Sequence, residues 1–397
     1  MEFDVIGIYL PPSELNSART EYEHGKFSSG SLKEIENNAV LDIVERQLEC
    51  GLTVVTSGGI RWKHWNKDFF FGLSGISKER FDSGHLYSVD TNLTDLMRFT
   101  GRISFNPSHP YFDDFKFMAD AVAERAVCRQ IIPSPTELYM QLLLMADGHS
   151  ERLYPDASSL VSDITEAYRK TIIRLYELGC RSIVFDDTVC GCLCEDNFAK
   201  RLLQGGIDTI NLQNLLIELI NGSFAETPSD IEKAVYLSGG DTIVPEWEYI
   251  KYPDNIMPRI LSEVIADKFF MPFDVADDYS IEILSHLPKG KKVVMGLIDA
   301  HSPFPDDKDA IIRFVRKAKR HFNPAFLAIS PKTGFCLSSY APRGLQYNDQ
   351  WTKIKSLKNL IDNHQIGHYR ACVEITQARF SINPSAIVLR TSYVKIG

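Results

Sequence analysis

Residues 179–187 read GCRSIVFDD and residues 291–303 read KKVVMGLIDAHSP. Each is a short apolar run that breaks off into carboxylates, and each is followed by polar and small residues. A run of that length, rich in β-branched residues and bounded by turn signals, is the signature of a buried strand. Working outward, six further runs of the same kind appear: Phe3 to Ile8, Leu52 to Thr56, Cys128 to Ile132, Ala234 to Leu237, Lys268 to Met271 and Phe326 to Ile329. With Ser182 to Phe185 and Lys292 to Leu297 they make eight.

Helical periodicity fills the intervals. Leu160, Ile164, Tyr168, Ile172 and Leu175 recur on one face, with Ser158 or Ser159 placed to cap the start and Gly179 to close the end. Val40, Ile43, Val44 and Leu48 run into Gly51 in the same way, and the helix of Ile311, Ile312, Val315 and Ala318 carries Lys317, Lys319 and Arg320 towards its C-terminal dipole. Strand and helix in strict alternation, eight times, predict an α/β fold: a (β/α)8 barrel spanning residues 1–364 as one domain. Residues 57–127 are long for one connection and predict an excursion with a hairpin over the barrel mouth, in the manner of an active-site lid. Residues 365–397 alternate apolar and β-branched residues, which predicts an extra β hairpin packed on the barrel and suited to homo-oligomerisation.

Composition narrows the function. Of 397 residues 44% are hydrophobic, enough for a large core, and the net charge of −9 with scattered basic residues argues against nucleic acid as a partner. The sequence holds no apolar run near the roughly 20 residues of a membrane span, and MEFDVIGIYLPP lacks a basic leader, so a cytoplasmic protein without a membrane partner is expected. Eight dispersed cysteines in such a chain are expected to be free thiols.

In barrels the chemistry sits where the strands end, so those ends supply the candidates. They are Ser57-Gly58-Gly59-Ile60-Arg61-Trp62 after the second run and Asp186-Asp187 after the fourth. Ser238-Gly239-Gly240-Asp241 follows the fifth, Phe273-Asp274 the sixth, Asp299-Ala300-His301-Ser302-Pro303 the seventh, and Pro331-Lys332-Thr333-Gly334 the eighth.

Taken in order, GCRSIVFDD, KKVVMGLIDAHSP and LAISPKTGF (327–335) resemble the strand ends of the cobalamin-independent methionine synthase family and its single-barrel relatives. The resemblance covers roughly residues 3–360 and implies a barrel of the methionine synthase/uroporphyrinogen decarboxylase type. In that family a zinc held by His, Cys, Glu and Cys activates homocysteine as a thiolate towards the methyl group of a methyl-tetrahydrofolate. The family's His-x-Cys falls here on Tyr236-Leu237-Ser238, its Glu on Pro272 and its last Cys on Thr333. Two alcohols, a phenol and a proline supply no anionic sulfur and no carboxylate, so no cofactor is expected and folate use stays open. The family's Ile-Gly-Ser reads Ile6-Gly7-Ile8, and its Asp-Gly-Glu reads Ser57-Gly58-Gly59.

The resemblance implies that His301 is a proton donor and that Asp186 or Asp187 lies near a substrate ammonium. Adjacent residues of a strand point to opposite sides, so one of the two faces the site and the other is free to cap the next turn; Asp187, further out, is the preferred one. Tyr236, Ser238, Asp241, Asp274 and Thr333 are expected to contact substrate, with Arg61 and Trp62 as a cationic and aromatic clamp. For each there is a plainer reading: a loop-fixing histidine, a filled metal site, a packed lid surface. The expected function is an enzyme acting without the family's zinc on a small polar substrate bearing a carboxylate or thioether, by methyl transfer or a lyase-type step. The alternatives are a zinc-dependent thiol methyltransferase with ligands relocated to Cys190, Cys192 and Cys194, and a catalytically silent binding or scaffold protein.

Overall fold

A computed structural model describes residues 1–62, 65–80, 95–144, 150–193, 196–238, 257–276, 279–336 and 344–362. The eight expected runs are eight parallel strands: β1 (Glu2–Phe3), β2 (Val54–Val55), then, beyond the excursion, β5 (Val127–Pro133), β6 (Ser182–Asp187), β7 (Glu232–Leu237), β8 (Lys268–Pro272), β9 (Lys292–Ile298) and β10 (Leu327–Pro331). They form one sheet in the order β1-β10-β9-β8-β7-β6-β5-β2, and every pairing within it is parallel. The excursion holds the antiparallel pair β3 (Ser74–Arg80) and β4 (Asp95–Ser104).

That pair packs on the helix Ala157–Glu177 of the outer ring: Arg102 is salt-bridged to Asp163 at 2.7 Å, and Ile103 N donates to Tyr154 Oη at 2.6 Å. The helix itself buries Ile164, Tyr168, Ile172 and Leu175 of the predicted stripe, with Val161 buried and Leu160 half-buried. Its cap is Asp156, which accepts from Ser159 N at 2.7 Å, and not Ser158 or Ser159 as expected; both serines donate their hydroxyls to the same carboxylate, so the observed cap lies two or three residues upstream of the expected one. The expected hairpin of residues 365–397 lies outside the described residues, as does Asp241. No described helix is long and apolar enough to cross a membrane.

The curled sheet closes between β1 and β2 without ladder bonds among the described residues. Tyr9 N donates across the seam to Gly58 O at 2.9 Å. Two buried glutamines act as strand partners there. Gln350 accepts from Leu10 N (2.8 Å) and donates to Leu10 O (3.2 Å), while Gln47 accepts from Thr56 N (3.1 Å) and donates to Thr56 O (2.7 Å).

Alternation along the strands sorts the barrel interior into layers. The middle layer is apolar: Ile6, Val184, Ala234, Phe270, Val294 and Ala328. Two residues earlier on the same faces lies a charged floor. Arg129 meets Asp4 in a bidentate pair at 2.7 and 2.8 Å and donates to Ser182 Oγ at 3.0 Å; Lys268 is 2.8 Å from Glu232 and 3.4 Å from Asp4. Burial alone would raise the Asp4 carboxyl, but Arg129 and Lys268 hold it below its ordinary range. Two residues later on the inner faces come Asp186, Tyr236 and Pro272, the mouth.

Candidate active site

The same alternation decides between the two aspartates. Val184 faces the interior, so Asp186 does too, and it lines a cavity of about 40 Å³ at the mouth together with Gly7, Ile8, Thr56, Trp62 and Tyr111. Asp187 faces the helices and is fully buried. Its Oδ2 accepts from Ser134 Oγ (2.7 Å) and Thr136 Oγ1 (2.8 Å), and its Oδ1 from Cys190 N (2.7 Å), which caps the short helix Thr188–Leu193. Asp187 therefore stands behind the site wall, contrary to the preference that its outer position gave it. The reason is strand parity, which outweighs distance along the chain.

The pair is anchored on both sides. Ser134 N donates to Asp186 O at 2.8 Å, Ser238 N to Asp187 O at 3.2 Å, and Ser238 Oγ to Asp186 Oδ1 at 2.9 Å. Behind Asp187 sits Glu137, buried on the helix Pro135–Leu144, with Thr188 donating both its amide (2.9 Å) and its hydroxyl to Oε1. Loss of solvent, then the neighbouring Asp187 charge, pushes the Glu137 carboxyl up to about 8, and burial likewise raises Asp187. Sequence reasoning missed Glu137, Tyr111 and Arg129. A charge opening an apolar run, as in Asp4, Arg129 and Lys268, was the readable signal for the floor.

His301 occupies the loop after β9. Its amide donates to Asp299 Oδ1 at 2.8 Å, and its Nε2 lies 3.0 Å from both Gly334 O and Thr333 Oγ1. A carbonyl only accepts, so this geometry assigns the proton to Nε2 and leaves Nδ1 as the nitrogen that gains or loses one. Gly334 is pressed onto the start of the chain: a Cβ there would come within 2.4 Å of Ile8 N, and one on Gly7, at φ +83°, within 2.6 Å of Gly334 Cα. His301 thus contacts the Gly334 backbone that packs on Gly7 and Ile8 of the cavity wall.

The remaining candidates divide. Trp62 stacks on Tyr111 with ring centroids 4.0 Å apart. Arg61 points away from the cavity and is committed elsewhere: its guanidinium donates to Asn37 Oδ1 at 2.7 Å and lies 3.7 Å from Glu36 and 3.4 Å from Asp114, over the Phe117 ring. The clamp expected from its sequence position is therefore half a clamp. Asp274 accepts from Ala276 N at 3.0 Å, a local turn.

The positions of the family zinc do not fit the metal. Tyr236 Oη donates to Lys332 O at 3.3 Å, Ser238 Oγ to Asp186, and Thr333 Oγ1 to Gly334 O at 3.0 Å, while Pro272 has no donor atom to offer. Hydroxyls spent on carbonyls and a carboxylate replace the thiolates and carboxylate that zinc takes. Among the described residues no three His, Cys, Asp or Glu side chains converge on a metal position. Cys190 is buried and Cys192 half-buried; Cys194 lies outside the described residues.

No family model matches the chain. The uncharacterised protein YxjG of Bacillus subtilis is 26% identical over 362 residues, covering 91% of this chain and 93% of that protein. A methionine synthase of Saccharolobus islandicus is 22% identical over 342 residues, covering 84% and 88%. Among solved structures, a putative vitamin-B12-independent methionine synthase from Listeria monocytogenes superposes with a TM-score of 0.71 at 26% identity, covering 92% of this chain and 98% of that one. In fold, strand-end order and these likenesses the chain is similar to cobalamin-independent methionine synthases.

Proposed function

We propose that the protein is a methyltransferase-type enzyme that holds the cationic group of a small polar substrate against Asp186, with His301 moving the proton. The observation that carries this reading is the inward carboxylate of Asp186, fixed by Ser238 and by its own backbone at the wall of the mouth cavity. A carboxylate so held is pre-organised for a positive group and has no rotamer freedom left to lose on binding it. The class of reaction comes from the relatives that are named methionine synthases. The replacement of the zinc donors by hydroxyls favours chemistry that does not need a metal thiolate at those positions. In this reading His301 acts through Nδ1, since Nε2 is held by Gly334 and Thr333.

The test is calorimetric titration of wild type and Asp186→Asn with methionine and homocysteine, followed by a labelled-methyl transfer assay on wild type and His301→Ala. Loss of a charge-assisted contact should weaken binding in Asp186→Asn by roughly 10- to 100-fold. His301→Ala should bind as wild type and turn over poorly. Equal binding by Asp186→Asn would overturn the assignment.

A further inference from the structure

His301 sits on the loop between β9 and the helix Lys308–His321, and the crest of that loop stands in solvent. Pro303, Phe304 and Pro305 are exposed, Phe304 by 74%, and an open cavity of about 400 Å³ lies against both this crest and the helix Tyr347–Asp362. The two prolines have no amide to donate. What holds the loop is polar. Lys353, on the helix Tyr347–Asp362, has a side chain only 6% exposed, and its ammonium donates twice to this one loop: to Asp306 Oδ2 at 2.9 Å and to Phe304 O at 3.0 Å. Asp306 uses its other oxygen to accept from Asp299 N at 2.8 Å, and Asp299 Oδ1 accepts from His301 N at 2.8 Å. These links run without a gap from an outer helix to the backbone of the histidine. At the ring end, Nε2 lies 3.0 Å from Gly334 O and from Thr333 Oγ1, so His301 is gripped through both its amide and its imidazole. Burying an ammonium costs desolvation, which a fixed carboxylate and carbonyl offset.

We infer that Lys353 is a positioning residue for His301: through Asp306 and Asp299 it fixes the loop so that Nε2 meets Gly334 and Nδ1 is left to move the proton. The inference rests on the reading of His301 as the proton-moving group and adds the device that aims it.

The experiment is hydrogen exchange followed by NMR on the full chain of wild type, Lys353→Met and Asp306→Ala, the second variant breaking the same relay should the first not fold. It reads the amides of Asp299 and His301 and the ring Nε2–H of His301, identified by its absence in His301→Ala. In either variant the two amides should exchange about tenfold or more faster than in wild type, the loss of roughly one hydrogen bond, and the Nε2–H signal should broaden or vanish. The amides of β6 should change by less. In the labelled-methyl transfer assay Lys353→Met should slow turnover about tenfold or more, and the double variant with His301→Ala should be no slower than His301→Ala alone. Loop amides and Nε2–H that stay as in wild type, or amides that speed up no more than those of β6, overturn the positioning role whatever the assay gives. A loosened loop in a protein whose transfer is indifferent to His301→Ala overturns the reading of His301 and leaves Lys353 as a brace of the loop alone.

Discussion

The floor and the mouth of this barrel are built from the same strands, two layers apart, and they obey opposite rules. At the floor Asp4, Arg129, Lys268 and Glu232 match two negative with two positive groups within 2.7 to 3.7 Å. At the mouth the inward positions carry a carboxylate, hydroxyls and a proline: the Ser238 hydroxyl bonds the Asp186 carboxylate, and the Tyr236 hydroxyl bonds a loop carbonyl. The floor is closed chemistry whose interest is stability; the mouth is where the proposed substrate would meet the chain. A buried charge is tolerable where its partner is fixed.

Breaking the floor should have the largest effect. Asp4→Asn leaves the buried Arg129 and Lys268 short of a counter-charge, and removing one member of a buried pair costs about 3–5 kcal/mol; urea unfolding should show the loss, with the cavity's ligand affinity falling only as the fold does. Asp187→Ala, on the helix side of the mouth, strands the Ser134 and Thr136 hydroxyls and the Cys190 amide and should cost about 2–3 kcal/mol. It should also weaken ligand binding, because Asp186 loses its backing.

Glu137 sharpens the contrast through pH. Its folded pKa is raised to about 8, so the folded state binds the proton more tightly than the unfolded one. Its contribution is complete below the ordinary glutamate range and is lost as pH rises towards about 8. Unfolding midpoints of wild type relative to Glu137→Gln should therefore decline between about pH 5 and pH 8; a flat difference would show that the carboxyl is ionised throughout. The smallest effect belongs to Ser238→Ala, about 1 kcal/mol for one hydrogen bond, with a larger relative effect on ligand affinity than on stability.

Much of this was legible beforehand, and for a physical reason. All eight strands were visible because a strand covered on both faces must be a short apolar run, and the resemblance of three strand ends carried the fold. Parity along SIVFDD already required Asp186 and Asp187 to part; their direction needed one contact, Val184 in the interior cluster. Arg61 and Glu137 were not legible in this way. Arg61 sits beside Trp62 in sequence, yet its partners Asn37 and Asp114 come from helices 24 and 53 positions away, and nothing local reports them. Glu137 reads as an ordinary first-turn acid of PTELYM, and only the return of β6 places Asp187 behind it.

The central claim is that the mouth works through Asp186 and not through a metal at the positions of the family's zinc. Elemental analysis of purified, untagged protein after incubation with excess zinc and gel filtration tests it most directly. The account predicts little retained zinc, unaffected by Ser238→Ala, in protein that still binds its cationic ligand. Near-stoichiometric zinc that is lost in Ser238→Ala or Cys190→Ser would contradict it.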